Sequence, residues 1–171
     1  MSNWYEQTTR DNSIGINQSG GRDYIVGHQN NTGVTKQTAS VTFSLAKIAN
    51  GGNGVLTAKI YNTSVAVQHT SITQINASDL TTSFADYTFN FDGAVDCLDT
   101  QFVAIHTTGT SSGDNFVLVG TYVTTGETIH VVNGTTTMLT YEDRLVTITI
   151  SSAGTSGSSL LLPPPYSEVV F

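Results

Sequence analysis

Charge is the first thing this sequence has little of. Charged residues make up 11% of the 171-residue chain, with 6 Lys+Arg against 13 Asp+Glu and a net charge of −7. A typical globular chain carries about 25%. So few cations cannot form a patch that displaces counterions from a phosphate backbone, which excludes direct nucleic-acid binding. The same scarcity removes the flanking charges of a coiled coil and the basic stripe of a membrane-surface helix. Apolar runs such as that near Leu160-Leu161-Leu162 are only a few residues long, against the ~20 residues a bilayer span requires, so no membrane span is expected. Good helix formers are scarce too, which argues against a helical protein. The single cysteine, Cys97, cannot close an internal disulfide. It sits among Ala94, Val95 and Leu98 and reads as a small buried side chain. No Cys/His spacing suggests zinc.

What the chain has instead is Ser and Thr, about a quarter of its residues, and 16 glycines. Thr is β-branched and favours strands. Alternation with period two recurs along the chain, a sign of strands with one buried face. Strands are expected at 23–26, at Ala39–Ala46 with Val41, Phe43 and Leu45 inward, and at Val55–Tyr61 with Leu56, Ala58 and Ile60 sharing a face. A further strand over 65–75 is expected to break near His69-Thr70. Asn76 reads as the cap of one or two helical turns, and Tyr87, Phe89 and Phe91 share a strand face that ends in a turn at Asp92-Gly93. Residues 102–105 are continuously apolar, which marks a central strand. Strands at 116–123, 128–132, 136–141 and 144–150 follow, with Asn133-Gly134 as a hairpin signal. About ten short strands with frequent turns imply an all-β, antiparallel sandwich. The expected core includes Val117, Val119, Val146 and Ile148 besides the residues named above.

The organisation read from this pattern has three parts. Residues 1–21 are an extended N-terminal arm, anchored by Trp4, Tyr5, Ile14 and Ile16. Residues 22–150 are the sandwich, and 151–171 are a Gly/Ser linker with a Pro-rich tail. The order of elements from Ala39 to Val123 carries a resemblance. A strand Val41-Thr42-Phe43-Ser44-Leu45 is followed by a Gly-rich turn, then Leu56–Tyr61, then the short turn Ala77-Ser78-Asp79-Leu80. The strands Tyr87–Phe91 and Phe102–Ile105 complete it. The pattern resembles the jelly-roll modules of the carbohydrate-binding and galactose-binding-like type. The resemblance implies a jelly-roll-like sandwich with a glycan as one partner class, in a glycan-binding, cell-surface or virion protein.

Chemistry-bearing patterns are few. Gly109-Thr110-Ser111-Ser112-Gly113 matches G-x-S-x-G, with Asp114, Glu127 and His130 following in hydrolase order. That motif works where a strand turns sharply into a helix, and a strand-like run follows here, so it reads as a loop. Asp92, Asp96 and Asp99 could be weighed as calcium ligands, but they read as solvated acids of turns. His28, His69, His106 and His130 are dispersed, and the sequons at Asn17, Asn30, Asn62, Asn76 and Asn133 are what a Thr-rich chain produces by chance. Pro163-Pro164-Pro165-Tyr166 matches a WW-domain ligand pattern. It fits better as the stiff centre of an apolar docking tail.

No catalytic, metal or cofactor-binding residue is assigned. The N-terminus Met1-Ser2-Asn3-Trp4-Tyr5 shows no signal-peptide pattern, while the composition suits an exterior surface. A virion protein, made in the host cytoplasm and later exposed, satisfies both. The expected function is therefore a non-enzymatic virion structural protein, a decoration, spike, turret or tail component. Its partners would be further copies of itself and other virion proteins. The expected assembly contacts are Trp4, Tyr5, Leu160, Leu161, Leu162, Tyr166, Val169, Val170 and Phe171. The alternative is a carbohydrate-binding or adhesion module.

Overall fold

A computed structural model describes residues 3–10, 12–16, 24–48, 54–108, 117–133, 137–146 and 148–152. Eleven strands are formed among them: β1 (Asn3–Gln7), β2 (Asn12–Ile16), β3 (Tyr24–Gln29), β4 (Lys36–Lys47), β5 (Val55–Tyr61), β6 (Val67–Asn76), β7 (Ala85–Cys97), β8 (Phe102–Thr107), β9 (Val117–Asn133), β10 (Thr137–Val146) and β11 (Ile148–Ser151). All pairings are antiparallel. The strands form two packed layers, an all-β sandwich. The hydrogen-bonded path runs β1-β11-β4-β9-β3-β8-β5-β6, with β7 on β4 and with β2 and β10 on β9. β9 serves both layers. Its first residues pair with β4 and β2, its last pair with β3, and β10 pairs along it from Thr121 to Asn133.

The core follows from the alternation. Val41, Phe43 and Leu45 of β4 are fully buried, with Phe89 and Phe91 of β7 and Ile148 and Ile150 of β11 from the same layer. Facing them are Val26 of β3, Leu56, Ala58 and Ile60 of β5, and Val103 and Ile105 of β8. Phe43 and Phe89 meet edge to face, with ring centroids 6.1 Å apart. β8 is buried on both faces, as a continuously apolar strand should be. Its other face joins Phe102 and Ala104 to Ile25 and Tyr61 in a second, smaller cluster. Gly27 of β3 has no room for a side chain there, because a Cβ would stand 2.1 Å from the Val103 carbonyl oxygen.

Several expected boundaries shift. Asp92-Gly93 is not a terminal turn. β7 continues through it as a bulge, using the residues from Val95 back to Asn90 where β4 uses Thr38 to Ser40, and Gly93 takes a positive φ of 76°. The strands expected at 116–123 and 128–132 are one bent strand, β9. β6 carries two irregularities, at Ser71–Thr73 and at Gln68, which flank the break expected near His69-Thr70. The helical segment is a single 3-10 turn, Ala77–Asp79, and Asn76 makes no side-chain cap bond to its backbone. Asn76 instead donates from Nδ2 to Asp79 Oδ2 at 3.0 Å.

Residues 3–7 and 12–16, part of the expected arm, are strands of the sandwich. β1 pairs with β11, and β2 pairs with β9. Ile16 is buried in the main core, and Trp4 and Tyr5 pack against it.

Candidate functional site

Alternation that buries Val41, Phe43 and Leu45 must turn Ser40, Thr42 and Ser44 to the opposite face of the same strand. Cross-strand register then assembles polar rows. Glu6, Thr149, Thr42 and Thr88 lie side by side across β1, β11, β4 and β7, and Asn3, Ser151, Ser40 and Asn90 form the next row. The Thr42 and Thr88 hydroxyls are 2.7 Å apart. At the end of this face Ser44 stands opposite Asp86. Here Gln7, Thr8, Arg10, Thr42, Ser44, Asp86, Ile148 and Thr149 line an open cleft of about 280 Å³.

Arg10 is the fixed cation of the cleft. Its Nη1 donates to Ser44 Oγ at 3.0 Å, and its guanidinium lies 4.1 Å from the centre of the Phe84 ring. A guanidinium held by one hydroxyl and one aromatic face keeps further N–H donors for a ligand. Asp86 supplies an exposed carboxylate on the same cleft. The arrangement can accept and donate hydrogen bonds around a small polar molecule. The sequence reading missed it, because Arg10 falls in a stretch with no periodicity and Asp86 is an unremarkable polar position on a strand. The one available signal was that Arg10 is among only 6 cations in the chain.

A second cluster gathers at the first strand. Tyr5 stacks on His28 of β3, with centroids 3.3 Å apart and planes 17° from parallel. Trp4 lies tilted against the same imidazole at 6.5 Å and donates from Nε1 to Thr38 Oγ1 of β4 at 3.2 Å. Both aromatic side chains are half-buried. They join the β1 edge of one layer to β3 of the other. The remaining expected contacts, Leu160, Leu161, Leu162, Tyr166, Val169, Val170 and Phe171, lie outside the described residues, as does the Ser111 motif with Asp114. Glu127 and His130 fall on β9.

Two of the three aspartates weighed for calcium are used within the chain. Asp99 Oδ1 accepts from the Gly33 amide at 2.9 Å, and Asp96 accepts from Gln37 Nε2. Among the described residues no three His, Cys, Asp or Glu side chains come together in a way that could hold a metal. His28, His69 and His106 stand on three different strands. Cys97 is buried, and burial pushes its thiol up to about 12. Asn30 of the second sequon is also buried, and its Nδ2 donates to the carbonyls of Val34 and Cys97.

Comparison with known proteins brings no relative to this chain: no family model, no curated protein and no solved structure matches it.

Proposed function

We propose that this chain is a non-enzymatic structural protein of a virus particle, a rigid sandwich that acts through subunit contacts. One observation carries the reading. The first and last described strands are neighbours, with Asn3 opposite Ser151 and Ser151 Oγ donating to Asn3 Oδ1 at 2.8 Å. The apolar, Pro-containing stretch 160–171 therefore follows, after a Gly/Ser linker, from the edge of the layer that carries Trp4 and Tyr5. Apolar side chains on such a stretch gain about 25 cal/mol per Å² when a neighbour covers them, less the cost of ordering the segment. All the expected contact residues would then belong to one assembly surface. Deleting residues 160–171 should leave the sandwich folded and weaken oligomerisation or particle attachment. Sedimentation of full-length and shortened chains at matched concentration checks this. Identical monomers that attach equally to particles would sink it.

The cleft favours a second reading, a carbohydrate-binding or adhesion module. Its hydroxyl, amide, guanidinium and carboxylate groups suit a polyhydroxylated ligand, and Arg10 and Asp86 leave it without net charge. Retarded migration in polysaccharide gels, abolished by Asp86→Asn, would support it. Unretarded migration across a panel of neutral polysaccharides would exclude it.

A further inference from the structure

We propose that the Arg10–Asp86 cleft binds a zwitterion, a small molecule whose carboxylate pairs with Arg10 and whose ammonium group pairs with Asp86. The proposal rests on the reading of this cleft as a ligand site and is independent of the assembly reading.

Arg10 is held in place without a carboxylate. A Cβ at Gly120 of β9 would stand 2.8 Å from Arg10 Cδ and 3.3 Å from its Cγ, so the stem of Arg10 lies in the space that the missing side chain leaves. The guanidinium then reaches the Ser44 hydroxyl at 3.0 Å and the centre of the Phe84 ring at 4.1 Å. Ser44 is only 5% exposed, so the hydroxyl that anchors the cation belongs to the packed sheet. The chain has 13 acids for 6 cations, yet among the described residues no carboxylate pairs with Arg10. Fixing so long a side chain costs rotamer entropy, and no ion pair within the described residues offsets it. A guanidinium carries five N–H donors, and the Ser44 bond uses only one nitrogen of the group.

Asp86 stands directly opposite Ser44 on β7. Directly opposed residues of neighbouring strands have Cβ atoms about 4.5–5.5 Å apart. The Asp86 carboxylate is exposed on the same cleft and forms no ion pair with Arg10. Two opposite charges therefore stand apart within the reach of one small molecule.

This charge pattern selects the ligand class. A lone anion would meet Asp86 and the −7 charge of the whole chain, and a lone cation would meet Arg10. An uncharged ligand would cover both charges and return only hydrogen bonds for their lost hydration. A zwitterion pairs both charges and has no net charge to be repelled. Gln7, Thr8, Thr42 and Thr149 add polar groups around it. At about 280 Å³, the cleft lies at the small end of ligand pockets, which span about 300–1,000 Å³. That size suits a free amino acid.

Titration of the full-length protein with glycine, 3-aminopropanoate and 4-aminobutanoate tests this, read by calorimetry or NMR shifts. The three probes differ in the spacing between ammonium and carboxylate. Propanoate, propylamine and glucose serve as anionic, cationic and uncharged probes. At least one amino acid should bind saturably at millimolar concentration, about tenfold or more tightly than any of these three. Arg10→Gln and Asp86→Asn should each weaken that binding about tenfold or more. Both side chains are exposed, so urea unfolding should be unchanged. Equal binding of propanoate or propylamine would make the cleft a site for one charge and overturn the proposal. Amino-acid binding that survives both substitutions would place the site elsewhere and also overturn it. So would the absence of amino-acid binding. In that last case, glucose binding or retardation in polysaccharide gels would leave the cleft as a glycan site, and neither would remove the ligand-site reading too.

Discussion

Asn30 holds the carbonyl of Cys97, 67 residues away, through its Nδ2 at 2.9 Å. The same nitrogen donates to the Val34 carbonyl at 2.8 Å, and Oδ1 accepts from the Thr32 hydroxyl at 2.7 Å. Backbone bonds add to the joint, from the Asn30 amide to the Gln101 carbonyl and from the Thr100 amide to the Asn30 carbonyl, both 2.7 Å. One fully buried amide therefore ties the β3–β4 loop to the turn between β7 and β8. Asn30→Ala should destabilise the protein by about 2–3 kcal/mol, because buried carbonyls lose their donors. Urea unfolding checks this. For the same reason the Asn30 sequon should stay unmodified in the folded protein, which mass spectrometry of chain treated with a glycosyltransferase would show.

Two glycines should lose stability to different extents on replacement by alanine. At Gly27 a Cβ would meet the Val103 carbonyl oxygen at 2.1 Å and the Ala104 Cα at 2.6 Å, both backbone atoms that cannot move aside. Gly27→Ala should cost at least about 3 kcal/mol or prevent folding. Gly33 has open space but a φ of +76°. Gly33→Ala should cost only about 1–2 kcal/mol, the penalty of the left-handed region. Equal losses at both positions would be inconsistent with this packing.

Truncating a core aromatic tests the sandwich itself. Phe89 is fully buried on β7 and packs edge to face on Phe43. Phe89→Ala should cost about 3–5 kcal/mol in denaturant unfolding. A loss under about 1 kcal/mol would place the side chain on the wrong face.

Cys97 gives a pH signature. Burial raises its thiol from an ordinary value near 9 to about 12. The folded state therefore keeps the proton where the unfolded chain releases it. The stability it contributes is complete below pH 9 and is lost as pH rises towards 12. Cys97→Ala should flatten the alkaline decline in stability. Native protein should resist thiol reagents near pH 8 and react fully once unfolded.

Much of this architecture was legible from local pattern. Alternation in Val41-Thr42-Phe43-Ser44-Leu45 determines which side chains are buried, because successive residues of a strand face opposite ways. The apolar run Phe102–Ile105 needs no partner in view to be read as a strand buried on both sides, and the bounds of β5 follow directly from its sequence. What remained hidden depends on residues far apart in the chain. The Asp92-Gly93 pair has the chemistry of a turn, and only pairing with β4 makes it a bulge. Arg10 and Asp86 are distant in sequence, and the cleft exists because β4 places Ser44 between them. Trp4 and Tyr5 advertise burial, but their partners, Thr38 and His28, are supplied by two other strands. Sequence period determines the face of each strand. Only the tertiary structure decides which strands become neighbours, because pairing order depends on long-range packing that local spacing does not encode.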